Sequence, residues 1–319
     1  MGFIASFEYV KTVKSGNVFR EWLIEVLGDR IRNKDCEVRI FKLSHASHRV
    51  CRYEFKGEGL SVIAKFFAIP TGMIKKYDSY ALMKKEYEYI KKARKIIDVP
   101  EPIAINKDFS CVLISKYISG KPLLWYFDHG KELHEKLELV ADMLRKLHEN
   151  TQTYYDKENE FLKFNYVLKH LKINLHEKEK YRNLLEKWRN SSLLDKENGC
   201  MVHNDSTPVN YLFHREKPFL LDFELASRHG HFACDLGTLC AELKHYFARK
   251  GSTQRAEPYI RHFLKHYSKE EEEFRKITRV IPFYMAYGLL RIAILKWNPK
   301  YRDYLLREAK SCLKAIEKV

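Results

Sequence analysis

Between residues 203 and 224 the chain concentrates oxygen-bearing side chains in an order that can do chemistry. His203-Asn204-Asp205-Ser206-Thr207-Pro208-Val209-Asn210 has the form H-x-D-x-x-x-x-N, and Leu220-Leu221-Asp222-Phe223-Glu224 follows as an apolar run that ends on acids. An Asp, an Asn five residues on and a second Asp suit phosphoryl transfer, which needs in-line positioning and neutralisation of spreading negative charge more than covalent help. Asp205 can accept a hydrogen bond from an acceptor hydroxyl and take its proton late in the reaction. Asn210 and Asp222 offer the hard oxygens that magnesium binds while keeping several of its waters. Each acid alone would read as a turn or cap residue; the order and spacing together carry the reading.

Upstream, Val62-Ile63-Ala64-Lys65-Phe66 sets a lysine inside an apolar strand-like run. A buried ammonium is costly unless anions face it, so Lys65 calls for acidic partners. The flanking elements follow from periodicity. Val18 to Arg32 has apolar residues at helical spacing, and Glu37–Ser44, Val50–Phe55 and Leu60–Phe67 are short β-prone runs, with Lys56–Gly59 as a hairpin turn between the last two. Tyr80 to Ile97 returns to helical spacing and stops before Pro100 and Pro102. Cys111 to Ile118 is a further strand. Beyond it the chain reads as mainly helical: Glu132 to Glu149, a charged stretch to about Asn198, and helices from about Asp235 onward. A central patch of one loop and two short strands carries the motif.

The 319 residues exceed one typical domain and imply two, and with 45% hydrophobic and 13% aromatic residues the chain should fold. The net charge of +16 is spread among interleaved acids without a basic block, which favours a generally solvated surface over a nucleic-acid site. Seven cysteines without a C-x-x-C pair read as reduced thiols in a cytoplasmic protein. The longest apolar window, Ile281 to Leu295, is broken by Arg291 and is short for a membrane span. Gly2 and Ser6 fit an acylation pattern that often matches by chance. The pairs His229/His231 and His262/His266 lack carboxylates at metal-site spacing and read as surface or packing histidines.

The stretch His203 to Leu236 resembles the catalytic core of the aminoglycoside phosphotransferase and choline kinase superfamily. Those families carry H-G-D or H-N-D, then N five residues after the D, then I-D-[FWY]-E and an Asp-Leu or Asp-Ile pair opening a helix. Here the matching residues are His203-Asn204-Asp205, Asn210, Leu221-Asp222-Phe223-Glu224 and Asp235-Leu236. The resemblance implies an α+β, bilobal, protein-kinase-like fold. Residues 1–117 would form an N-terminal lobe of a leading helix and an antiparallel sheet covering the nucleotide, and 118–319 a mainly helical lobe with the catalytic loop and acceptor pocket. It implies ATP and Mg2+ as cofactors, with Asp205 catalytic and Asn210 and Asp222 on the metal. It places Lys65 at the α- and β-phosphates and Glu86 as its restraining carboxylate, with Ile90 and Pro100 as markers and Glu88 as competitor. Ser115 and Tyr117 fall in the strand and hinge, around Ile114 to Tyr117, whose backbone holds adenine. Asp235 would cap its helix or tie the catalytic loop.

Two departures stand out. Ser44-His45-Ala46-Ser47-His48-Arg49 has no glycine where protein kinases cover the phosphates with a Gly-rich loop, so Ser44 or Ser47 is the candidate phosphate contact. Glu224 stands where protein kinases have Gly, either as a further acid near the metals or as the end of a strand. Between Asp222 and Asp235 there is no room for an activation segment ending in A-P-E, so the expected acceptor is a small molecule bearing a hydroxyl: an amino alcohol, sugar or aminoglycoside. Glu242, Tyr246, Tyr284, Tyr287, Arg291 and Trp297 are its candidate lining, with core packing as the alternative for each. A catalytically quiet nucleotide-binding module and a kinase acting on a macromolecule are the competing readings. Neither nucleic acid nor membrane is an expected partner.

Overall fold

The computed structural model describes residues 6–44, 46–70, 77–195, 198–295 and 299–318; Gly2 of the acylation pattern, His45 and Trp297 lie outside them. The chain divides into two compact units: Met1–Gly120 with Phe219–Glu224, and Lys121–Pro218 with Leu225–Val319. The second stretch of the first unit carries Asp222 and Glu224, a long-range return that no local pattern announces.

The first unit runs β1 (Phe7–Val13), α1 (Val18–Leu27), β2 (Val38–Leu43), β3 (His48–Phe55), β4 (Leu60–Pro70), α2 (Ser79–Ala93), β5 (Pro102–Asn106) and β6 (Val112–Lys116). Its strands form one antiparallel sheet in the order β1-β2-β3-β4-β6-β5. Alternate residues Val38, Ile40, Cys51, Tyr53, Phe55, Val62, Ala64, Val112 and Ile114 pack with Leu23, Ile24 and Leu27 of α1. Burying a Leu or Ile there contributes about 1.5–3 kcal/mol each. Because side chains alternate across a pleated strand, the face opposite carries Lys65, with Val50 and Leu113 as its cross-strand partners. Asp78 starts α2 by accepting from the amides of Tyr80 and Ala81, both at 3.0 Å. The buried stripe of α2 is Met83, Glu86, Ile90 and Ala93, so helical spacing turns Glu86 inward.

Two strands add to the expected set. β1 is an edge strand whose middle is exposed, so it shows no two-residue apolar period. β5 begins on Pro102 itself, two residues after Pro100.

The second unit contains β7 (Lys121–Pro122), α3 (Leu123–His129), α4 (Leu133–Glu149), β8 (Thr153–Tyr154), α5 (Lys157–His170), α6 (Leu175–Asn190), β9 (Asn198–Val202), β10 (Tyr211–His214) and β11 (Lys217–Leu220), the last running into the segment that belongs to the first unit. It continues with β12 (Ser227–Gly230), α7 (Ala233–Arg249), α8 (Ala256–Tyr267), α9 (Glu271–Ala293) and α10 (Arg302–Leu313). The charged stretch before Asn198 is two helices; Phe161, Phe164, Val167 and Leu168 of α5 and Tyr181, Leu184, Leu185 and Trp188 of α6 are buried. The motif region holds four short strands rather than two, each too short to display a period. Among the described residues no helix is long and apolar enough to cross a membrane, and all seven cysteines are buried and unbridged.

Helices α7 and α9 meet through glycines. A Cβ on Gly237 would stand 2.4 Å from Cβ of Tyr284 and 2.8 Å from the amide nitrogen of Met285, and one on Gly288 would stand 2.7 Å from Cβ of Ala241. Only a residue without a side chain allows that approach. Gly237→Ala should therefore force the helices apart and destabilise the protein by about 1–3 kcal/mol, read as a lower midpoint in a thermal melt; an unchanged midpoint would refute the close-approach argument.

Candidate active site

The first unit gathers one lysine and three carboxylates. Nζ of Lys65 lies 2.8 Å from Oε2 of Glu86, 2.6 Å from Oδ1 of Asp222 and 2.9 Å from Oε2 of Glu224. Burial opposes the charge of Lys65, but Asp222, Glu86 and Glu224 outweigh it and hold its pKa well above the ordinary value. Three acids against one lysine leave surplus negative charge, and the most buried of them responds: burial, with Lys65 pulling against it, pushes Glu86 up to about 7. Glu224 is opposed by burial too, yet hydrogen bonding to His48 and the charge of Lys65 bring it down to about 2; Nε2 of His48 is 2.9 Å from its Oε2. The segment is fixed by its backbone, with Leu220 N–H donating to Asp98 O (3.0 Å) and Nζ of Lys85 to Glu224 O (3.1 Å). Asp222 has φ +66°, a strained conformation for a residue with a Cβ, of the kind that gathers at functional sites.

Ligand oxygens of Glu86, Asp222 and Glu224 all lie within 4.8 Å of one another. Hard carboxylate oxygens carrying excess negative charge fit a hard divalent cation. Ser115 is buried on β6, opposite Ile63. The amide of Tyr117 donates to Ser61 O at 3.1 Å, so its N–H is committed to the sheet. Ser44 exchanges hydrogen bonds with Ser6 at the start of β1, its Oγ accepting from Ser6 N–H at 3.1 Å.

The second unit builds the loop of Asp205. Asn204 has φ +62°, a left-handed conformation that Gly and Asn adopt most readily; this is the physical reason that the slot before the Asp takes either in H-G-D and H-N-D. Its amide donates to Leu225 O (3.0 Å) and Ser227 Oγ (2.9 Å), while its Oδ1 accepts from Nζ of Lys163 (3.1 Å). Nδ2 of Asn210 donates to the backbone oxygen of Asp205 (2.9 Å) and to its Oδ2 (3.1 Å), which leaves the amide oxygen of Asn210 for a ligand.

Asp235, fully buried at the start of α7, ties the loop. Its carboxylate accepts from the backbone N–H of His203 and of Asn204, both at 2.8 Å, and lies 3.1 Å from Nε2 of His148, whose Nδ1 is 2.9 Å from the Tyr267 hydroxyl. From α9, Nη1 of Arg291 donates to Asn204 O (2.6 Å) and Nη2 to Oδ1 of Asp205 (2.7 Å).

Of the expected acceptor lining, Arg291 reaches the Asp205 loop, and Tyr287 lies alongside with its ring 5.8 Å from the guanidinium. Tyr284 is buried against His231 and Phe283, Tyr246 donates to Asp128 at 2.6 Å, and Glu242 lies 4.0 Å from His245. His262 and His266 pair with Glu138 and Asp142 of α4 at 2.8 and 3.2 Å, a packing role. His48, His148 and Lys163 carried no sequence signal for the site.

The chain matches the sequence pattern of the phosphotransferase enzyme family over residues 43–275. No curated protein matches it significantly. Among solved structures it resembles a putative aminoglycoside phosphotransferase of Ralstonia eutropha JMP134, at 11% identity and a TM-score of 0.62 over 93% of this chain and 97% of that one. It also resembles a choline/ethanolamine kinase family protein of Mesorhizobium loti, at 16% identity and a TM-score of 0.60 over 88% and 92%. A third likeness is to the gentamicin complex of APH(2″)-IIa, at 18% identity and a TM-score of 0.58 over 94% and 96%. At such identities these likenesses establish the fold, α+β and kinase-like, with an antiparallel N-terminal sheet and a mainly helical C-terminal part. With the match covering more than half of its length, the chain belongs to the phosphotransferase enzyme family.

Proposed function

We propose that this phosphotransferase moves the γ-phosphate of ATP to a hydroxyl of a small molecule, with magnesium, and that Asp205 serves the acceptor while Lys65 and Asp222 serve the nucleotide. The observation that carries this reading is Nζ of Lys65 at 2.8 Å from Glu86 and 2.6 Å from Asp222, the strand-lysine and helix-glutamate pair, with a metal-binding Asp, on which kinase chemistry depends.

Magnesium, when bound, supplies neutralisation of the phosphate oxygens. Asp222 and Asn210 offer it a carboxylate and an amide oxygen, and Glu224 is a further acid within reach of Lys65. Lys65 offers its ammonium to the α- and β-phosphates while Glu86 keeps it aimed. On the hinge, Ser115 and Tyr117 flank adenine; with the Tyr117 N–H given to Ser61 and its ring packed against Phe7 and Arg52, the backbone carbonyl of Tyr117 remains for that role. Asp205 accepts the acceptor hydroxyl's hydrogen bond and takes the proton as the oxygen bonds to phosphorus. The acceptor classes are amino alcohols of the choline or ethanolamine kind, sugars and aminoglycosides, the first and the last in keeping with the neighbours named above.

The test is ADP release from ATP with and without magnesium across a panel of those three classes. One class should raise turnover above the rate with water alone, and Asp222→Ala should lose magnesium-dependent nucleotide binding. A panel without any accelerating compound, together with nucleotide binding indifferent to magnesium, would refute the assignment.

A further inference from the structure

The loop of Asp205 is held from two helices by groups of opposite kind. On α7, the carboxylate of Asp235 takes the amide hydrogens of His203 and Asn204. On α9, the guanidinium of Arg291 takes the carbonyl oxygen of Asn204 and a carboxylate oxygen of Asp205, at 2.6 and 2.7 Å. Gly237 and Gly288 set the distance between these helices, and Arg291 lies one turn beyond Gly288, so the glycine contact fixes where the guanidinium arrives. A cation that merely filled space would need one anion. Arg291 instead spends two nitrogens on consecutive residues, bracing a left-handed backbone and the side chain that follows it. Asn210 occupies the other oxygen of the carboxylate. With a donor on each oxygen the carboxylate plane cannot turn, yet each oxygen keeps a second lone-pair site for a hydroxyl.

We propose that Arg291 is a positioning residue for phosphoryl transfer, fixing the orientation in which Asp205 meets the acceptor hydroxyl. The inference rests on the reading that Asp205 serves the acceptor. Lysine is no equivalent, because a point charge cannot reproduce the planar fork that reaches both oxygens. Misplacement of a reacting group by about 1 Å costs on the order of 100-fold in rate, which sets the scale expected.

The experiment is a double-mutant cycle on the full chain. Asp205→Ala and Arg291→Gln are measured alone and together, with Arg291→Lys as the charge-conserving variant. The reaction followed is magnesium-dependent ADP release from ATP, with water and with the fastest compound of the acceptor panel; thermal melts and titration with a fluorescent ADP analogue report folding and nucleotide binding. Arg291→Gln should lower kcat by roughly 10- to 100-fold with the KM for ATP changed less than about threefold. Arg291→Lys should fall in between. On the Asp205→Ala background the same change should cost less than about threefold, because two groups acting as one unit are not additive. Losses that multiply, or a raised KM for ATP with unchanged kcat, would overturn the proposal. If Arg291→Gln does not fold, the cycle with Arg291→Lys decides by the same criterion. Wild-type turnover in Asp205→Ala would remove the reading of Asp205 itself, and the inference with it.

Discussion

Asp205→Asn should lower kcat by about 10²–10⁴-fold, the usual loss for a positioned general base, and Asp205→Ala should do the same with nucleotide binding within about threefold of wild type. Asparagine keeps the shape and removes the capacity to take a proton. It also meets a conflict that the wild type avoids. Oδ1 of Asp205 faces a nitrogen of Arg291 and Oδ2 faces the amide nitrogen of Asn210, so a primary amide at 205 sets donor against donor whichever way it turns. The relief available is a flip of the Asn210 amide, which withdraws the oxygen offered to the metal. Asp205→Ala avoids this clash and is the cleaner variant for binding, although it leaves a cation of α9 without its anion. Both variants are read by ADP release with the best acceptor of the panel and by titration with a fluorescent ADP analogue. Turnover within about threefold of wild type in either would dismiss Asp205 as the base.

The parts of the site legible in the sequence are those whose cost is local. Lys65 stands in an apolar strand, where an ammonium requires anions, and it has three. Glu86 falls on the apolar stripe of α2, an equally improbable place for an unpaired charge. Asn204 was legible only as the middle residue of the H-N-D variant; its left-handed φ is seen in the structure. Asp235 could be read as a tie to the loop because an acid at a helix start seeks amides, although the amides it found lie 31 and 32 residues away. The partnerships of Glu224 with His48 and of Arg291 with Asp205 were not legible. His48 reads as part of a polar loop, and Arg291 reads as an interruption in an apolar helix; their partners are fixed by the crossing of elements far apart in the chain. The same limit hid β1, whose ladder to β2 is set by backbone bonds along a solvent edge, and the helices α5 and α6, whose exposed charges dilute the buried stripe.

Asp235→Asn should cost about 3–5 kcal/mol of stability near neutral pH, the range for breaking a buried charged network. The wild-type carboxylate is fully buried, and its two oxygens serve two loop amides and His148. An amide in its place has one acceptor and turns an N–H toward a backbone N–H, leaving a donor unpaired where water does not reach. Because that loop carries Asp205, turnover should fall along with stability. The pH dependence distinguishes loss of the charge from loss of packing. Burial opposes the charge on Asp235, but hydrogen bonds from His148 and the charges around it prevail and hold its pKa below the ordinary 3.8. Between the folded and unfolded values the unfolded chain binds the extra proton, so stability from this group is complete above the unfolded value and is lost as pH falls through the folded one. The gap between wild type and Asp235→Asn, measured by urea denaturation, should therefore be widest above about pH 5 and narrow toward pH 3 and below. A gap constant from pH 7 to pH 3 would mean that the residue stabilises by shape, and the electrostatic tie between α7 and the Asp205 loop would have to be given up.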